Sequence, residues 1–281
     1  SMISVVTVNY KTIDYTTQML ESLFKYHKDS LEVFVVENDS GDDLSDLKIR
    51  FPQVKVIESD KNLGFAGGCN LAIEKAAGDY IVLINPDVIF DDDVLYQIES
   101  KMDAMPSVGI GGASLKNLDG SQQACVWSFP RPVDQLLVLL KINHLLPNLP
   151  QLKQWLMRDF DYSQSRDVDQ VMGALFCIRR DVLEMVGKLD DGFFIWYEEV
   201  DYCKRAVNTG WRVRYFSDVT ARHKRGASFD KVATIEKQAI LRKSIRRYMR
   251  KHHGVLVWSL FSLGEPLFWF MSHVAAIIKP K

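Results

Sequence analysis

Within residues 1–90, four short runs of β-branched and aliphatic residues alternate with helical patterns, separated by polar or glycine-rich turns. The runs are 3–8, 33–36, 54–57 and 80–84. A first helical stripe carries Tyr15, Met19, Leu20, Leu23 and Phe24, and a second helix opens at the glycine-rich stretch 62–68 and reaches about Ala77. Strands that alternate with helices build βαβ units, which specify an α/β fold with a mainly parallel central sheet flanked by helices. Ligands of such sheets lie beyond the carboxyl ends of the strands. Glu37, Asn38, Asp39 and Ser40 follow the second run, and Asn85, Pro86 and Asp87 follow the fourth, so both polar clusters fall on that edge.

A chain of 281 residues that is 47% hydrophobic can bury a sizeable core, and its net charge of -1 gives no sign of a nucleic-acid partner. The four cysteines, Cys69, Cys125, Cys177 and Cys203, form no CxxC pair and sit among apolar neighbours. They read as buried free thiols, which suits a reducing compartment, and no signal-peptide pattern precedes the first strand. Residues 114–169 carry four prolines and read as an irregular insertion or lid with a short apolar helix near 135–140. Order returns at 171–178, at a helix from Glu198 to Thr209 closed by Gly210, and at a strand over 211–216.

The last part changes character. A helical pattern over 231–253 holds Arg242, Lys243, Arg246, Arg247, Arg250 and Lys251, and residues 255–278 are apolar and aromatic. That length approaches the ~20 residues of a membrane span, but Glu265 and Pro266 interrupt it, so an interfacial or re-entrant helix pair is expected. The six cations would rest on anionic headgroups, placing the chain on the inner face of the cell membrane. The alternative is a solvated basic helix with a hairpin that closes a homodimer.

Each candidate site residue carries two readings. Asp87 can help hold a divalent cation that bridges a diphosphate, or cap the helix near Asp91. Glu37 can accept hydrogen bonds from a base or ribose, or simply end a polar loop. The glycines from Gly64 to Gly68 can bring backbone N–H groups to an anion at a helix start, or make a tight packing turn. Five bulky residues, 193–197, four of them aromatic, run into Glu198, Glu199 and Asp201, which suits a general base above an aromatic floor or acids complementing a helix dipole. Glu199 and Asp201 lie two apart on a helix and point to different sides. His223, in a basic loop, is either a metal or diphosphate contact or a structural histidine.

In this order, the segments Val6-Thr7-Val8-Asn9-Tyr10, Glu37-Asn38-x-Ser40, Asn62-x-Gly64-Phe65-Ala66-x-Gly68-x-Asn70, Asn85-Pro86-Asp87, Gly173-Ala174, Glu198-Glu199-x-Asp201 and His223 resemble the family 2 inverting glycosyltransferases of the GT-A (Rossmann-like) fold, in the rhamnosyltransferase-type branch. The resemblance spans residues 3–228. It implies a GT-A domain over 1–230 and a separate basic and apolar helical part over 231–281. It also implies that Thr7, Asn9, Tyr10, Glu37, Asn38, Asn62, Gly64, Phe65, Gly68, Asn70, Asn85, Trp196 and Arg222 contact the nucleotide-sugar. Asp87 and His223 would hold a divalent cation, Mn2+ or Mg2+, and Glu199, with Glu198 and Asp201 beside it, would supply the catalytic base. Two positions depart from the family pattern: Asn85 replaces the first acid of the DxD pair, and Glu199 stands where the base is usually Asp. The implied donor is dTDP-rhamnose, with a UDP-hexose next, and the implied acceptor is a saccharide or lipid-linked saccharide. A non-catalytic sugar-nucleotide-binding or scaffold protein is the alternative.

Overall fold

The computed structural model describes residues 1–28, 31–226 and 234–278. Its strands are β1 (Ile3–Asn9), β2 (Leu31–Glu37), β3 (Lys55–Glu58), β4 (Tyr80–Ile84), β5 (Val88–Ile89), β6 (Val108–Lys116), β7 (Val126–Trp127), β8 (Arg166–Val168), β9 (Gln170–Val171), β10 (Leu175–Arg179) and β11 (Arg212–His223). Its helices are α1 (Ile13–Tyr26), α2 (Ser45–Arg50), α3 (Gly64–Ile73), α4 (Val94–Asp103), α5 (Pro132–Leu139), α6 (Ile142–Leu145), α7 (Pro150–Trp155), α8 (Arg180–Val186), α9 (Glu198–Asn208), α10 (Thr234–Leu263) and α11 (Glu265–Ile278). Residues 231–233, where the basic helix was expected to start, lie outside the described residues.

β1 and β4 are buried at every position. Strands buried along their whole length need cover on both faces, which the flanking helices supply. The main sheet runs β3-β2-β1-β4-β10-β6-β11-β5, with β8 also on β11. It is mixed: β1 to β4 and the β6–β11 pair are parallel, whereas β10 runs antiparallel to both its neighbours. β6 has no hydrophobic run to announce it, because Gly109, Gly111 and Gly112 occupy its middle. A Cβ at Gly111 would fall 2.8 Å from the Met102 sulfur, and one at Gly112 2.7 Å from Val171 Cβ. The glycines let α4 and β9 press directly on the sheet.

β11 carries a bulge. Phe216 pairs with Ala113 but Thr220 pairs with Ser114, so three residues of one strand face none of the other. Beyond the bulge, His223 pairs with Val88 of β5. That register sets His223 beside the residue preceding β5, Asp87.

A second core joins the insertion to the C-terminal helices. It contains Leu139 of α5, Phe193, Tyr197 and Val200 around the start of α9, and Ile245, Tyr248, Met249, Phe261 and Phe268 of α10 and α11. α10 is interrupted at Gly254, whose φ of 89° and ψ of 174° only glycine adopts readily. α10 and α11 meet at a 58° bend, and among the described residues no single helix is long and apolar enough to cross a membrane. The expected break at Glu265 is present. The expected cationic face is partly ion-paired: Arg242 and Arg246 pair with Glu265, Arg247 and Lys251 with Asp190, and Lys251 also with Asp201. Three acids from elsewhere in the chain thus pair with four of the six cations, but only Arg242 is buried, and Lys243, Arg247, Arg250 and Lys251 stay exposed.

Candidate functional site

One cleft of about 650 Å³ opens at the carboxyl edge of β1, β2 and β4. Tyr10, Asn38, Asn62, Gly64, Phe65, Asn85, Asp87, Trp196, Glu198, Glu199 and His223 all line it, from six separate stretches of chain.

Asp87 and His223 are both buried, and His223 Nε2 stands 3.0 Å from Asp87 Oδ1. Gln123 fixes the imidazole. Its amide nitrogen donates to Asn117 Oδ1 at 3.0 Å and to the His223 carbonyl at 3.2 Å, so its oxygen faces His223 Nδ1 at 2.8 Å. Nδ1 then carries a hydrogen, and the neutral imidazole turns its Nε2 lone pair toward the carboxylate. Two acceptors facing each other at that distance suit a shared cation. Among the described residues, no three or more His, Cys, Asp or Glu gather into a protein-only metal cage. A site with two protein donors suits a hard divalent ion that takes its other oxygens from substrate phosphates and water. Gln123 lies in the stretch read from sequence as an irregular insertion, 100 positions from His223, and no local pattern marks it.

Glu198 and Glu199 open α9 directly after Trp196 and Tyr197, whose φ values are 64° and 70°. Left-handed backbone at two bulky residues is strained and persists only where the surroundings over-determine it. They do here. Tyr197 hydroxyl donates to Gln135, its ring packs 5.7 Å from that of Tyr248, and Ser244 Oγ of α10 donates to the Ile195 carbonyl at 2.9 Å. The turn aims both glutamates into the cleft. Burial pushes the Glu198 carboxyl well above the ordinary range, and the neighbouring Glu199 charge pushes it further. Burial also raises Glu199, opposed by hydrogen bonds from backbone N–H groups and Glu198. A carboxylate with a raised pKa is a better proton acceptor near neutral pH. Gly173 closes this end: a Cβ there would touch Glu199 at 3.5 Å.

The glycine-rich segment serves packing more than ligand approach. Gly64 has φ of +73°, and a Cβ on it would sit 2.1 Å from the Phe194 carbonyl oxygen. Phe65 N–H donates to that same oxygen at 2.8 Å. Asn38 braces the loop by donating to the Gly64 carbonyl at 2.9 Å and accepting from Leu63 N–H at 3.0 Å.

Seven expected site residues do not line the cleft. Thr7 and Gly68 are buried in packing, Gly68 behind Val8. Asn9 is held by Glu37, Thr16 and Asp42, and Glu37 accepts from Asn9 and Ser40. Asn70 closes two hydrogen bonds with the Leu189 backbone. Arg222 forks onto Asp91 at 2.6 and 2.8 Å, and Arg225 is the cation of that loop that reaches the cleft. Asp201 is fully buried behind α9, facing Arg205, Lys251 and His252. Burial alone would raise its pKa, but hydrogen bonds from His252 and Lys251 and the nearby Arg205 charge hold it below the usual carboxylate range. Asp201→Asn is therefore expected to destabilise the fold by about 2–3 kcal/mol, the partners being partly solvated, through loss of a buried charge. A urea melt reads this; unchanged stability with lost turnover would return Asp201 to the cleft.

Residues 4–129 match the family described as Glycosyl transferase family 2. The chain is 23% identical over 242 residues to the N-acetylglucosaminyl-diphospho-decaprenol L-rhamnosyltransferase of Mycobacterium tuberculosis, covering 81% of this chain and 77% of that one. It is 28% identical over 236 residues to the rhamnosyltransferase WbbL of Escherichia coli, covering 79% of this chain and 83% of the other. Among solved structures, the mannosyltransferase PcManGT from Pyrobaculum calidifontis, in complex with GDP-Man and Mn2+, superposes with a TM-score of 0.58 at 16% identity, covering 99% of this chain and 76% of that one.

Proposed function

Because the chain carries a glycosyltransferase family 2 domain of the rhamnosyltransferase-like branch on a GT-A-like fold, we propose that it transfers a hexosyl unit, rhamnose first, with inversion, from a nucleoside-diphosphate sugar to a hydroxyl of a lipid-linked saccharide. The observation that carries this reading is that Asp87, His223, Glu198 and Glu199 share one cleft. The donor in this reading is dTDP-rhamnose, with a UDP-hexose next; the names of the two relatives support rhamnose as the sugar. The acceptor class follows the decaprenol-linked substrate in the name of the mycobacterial relative. In this reading the acceptor lies in a membrane, and the reaction takes place at its cytoplasmic face.

Asp87 and His223 would hold Mn2+ or Mg2+, and the cation would supply charge neutralisation for the departing diphosphate. Arg225 lies on the same side and adds a positive charge. Tyr10, Asn38 and Asn62 line the nucleotide end, and Trp196 offers an aromatic face to the sugar. Glu199 takes the proton of the acceptor hydroxyl as its oxygen bonds to the anomeric carbon. The bond from that carbon to the phosphate oxygen breaks on the opposite face, and its electron pair leaves with the nucleoside diphosphate. Configuration at the anomeric carbon inverts.

A thermal-shift screen tests the binding half of the reading. Nucleoside diphosphates and their sugars should raise the melting temperature more with Mn2+ than without, since a ligand that binds only the folded state stabilises it by ~2.7 kcal/mol at a hundred times its Kd. A flat response to every nucleotide would remove the assignment.

A further inference from the structure

We propose that the outer face of the hairpin formed by residues 255–278 docks on a lipid bilayer by inserting its side chains among the acyl chains, rather than by laying the basic helix on headgroups. The proposal deepens the membrane side of the reading above and rests on it for the choice of a lipid-linked acceptor.

The hairpin has two unlike faces. Its inner face supplies Phe261 and Phe268 to the second core. Its outer face leaves Leu256, Leu260, Leu263, Trp269, Phe270 and Ile277 between 52% and 84% exposed. Six large apolar side chains left exposed on one short hairpin mark a surface built to be covered.

The polar side chains say what covers it. Ser259, Ser262 and Ser272 each donate to the carbonyl four residues earlier at 2.8 Å, and His273 Nδ1 lies 2.8 Å from the Trp269 carbonyl. Glu265, the one acid of the segment, is neutralised by Arg242 and Arg246. The hairpin thus satisfies these groups internally, as hydrocarbon demands. A protein partner would instead meet polar groups left free to bond across the interface, at about one hydrogen bond per 100–200 Å².

Charge at the margin matches a bilayer too. Between residues 234 and 278 the chain has seven Lys or Arg against two Glu. Lys243 and Arg250 stay exposed, and the Arg250 guanidinium lies 5.2 Å from the ring of Trp258. Tryptophan beside arginine is the pairing found where hydrocarbon meets headgroups. The 58° bend and the lack of a spanning helix fit a hairpin lying within one leaflet.

Flotation of the full chain with phosphatidylcholine vesicles, and with vesicles containing phosphatidylglycerol, is the test. The protein should float with both, and high salt should remove only the extra binding to the anionic vesicles. Leu256→Glu, Leu260→Glu and Phe270→Glu should each cut partition to neutral vesicles by roughly tenfold, since each removes a buried apolar side chain and inserts a charge. Donor hydrolysis in the same preparations should persist in all three variants. Absence of wild-type flotation on neutral vesicles overturns the proposal, as does a wild-type dimer in solution that the same substitutions dissociate. Flotation without any donor hydrolysis would instead sink the reaction reading and leave the docking face standing.

Discussion

Glu199→Gln is expected to leave donor affinity unchanged and to cut turnover by about 10²–10⁴-fold, the usual contribution of a positioned proton acceptor. The amide keeps the size of the carboxyl and its place against Gly173, so the cleft keeps its shape. What it loses is a lone pair basic enough to take the acceptor proton. Wild-type turnover should fall as pH drops through a Glu199 pKa that burial has raised, because the protonated acid cannot accept a proton. The acid limb therefore lies above the ordinary carboxylate range, and Glu199→Gln should flatten it. Isothermal titration for the donor and a pH-rate profile read the two halves. If Glu198→Gln removes the limb and Glu199→Gln does not, the base is the deeper carboxyl.

Asp87→Ala should lower turnover by about 10³-fold, since a cation that offsets diphosphate charge is worth several kcal/mol and each decade of rate about 1.4 kcal/mol. The loss should be specific: Mn2+ should no longer stimulate residual activity. His223→Ala should weaken the metal response less, because one carboxylate remains. Wild-type turnover that survives EDTA unchanged would count against any cation at this pair, and the 3.0 Å contact would then be an ordinary histidine–carboxylate hydrogen bond.

Much of this arrangement is legible from residue order alone, for a definite reason. Buried parallel strands need mostly apolar, β-branched runs, and 3–8, 33–36 and 80–84 supply them, so β1, β2 and β4 and the polar clusters at their ends are readable. The two-residue spacing of Glu199 and Asp201 already implies that they part company on a helix, and they do. β6 hides because its central glycines carry no hydrophobic signal. The direction of β10 is equally silent, since an apolar run looks the same in either direction. Asn9 and Glu37 bond to each other in the interior, and a polar residue at a strand end reads alike whether it faces a ligand or a neighbour. The cations of 242–251 look like an unpaired surface stripe, and nothing local announces that Asp190, Asp201 and Glu265 arrive from remote positions to pair with four of them.

The bulge between Phe216 and Thr220 works as a reading frame for the end of β11. Side chains along a strand alternate between faces, so gaining or losing one residue there would turn His223 to the opposite side of the sheet while leaving its identity intact. Loss of two would restore the face but set the imidazole about 6–7 Å short of Asp87, at 3.2–3.4 Å per strand residue. The length of this inconspicuous detour, with no chemistry of its own, therefore governs whether the Asp87–His223 pair exists at all.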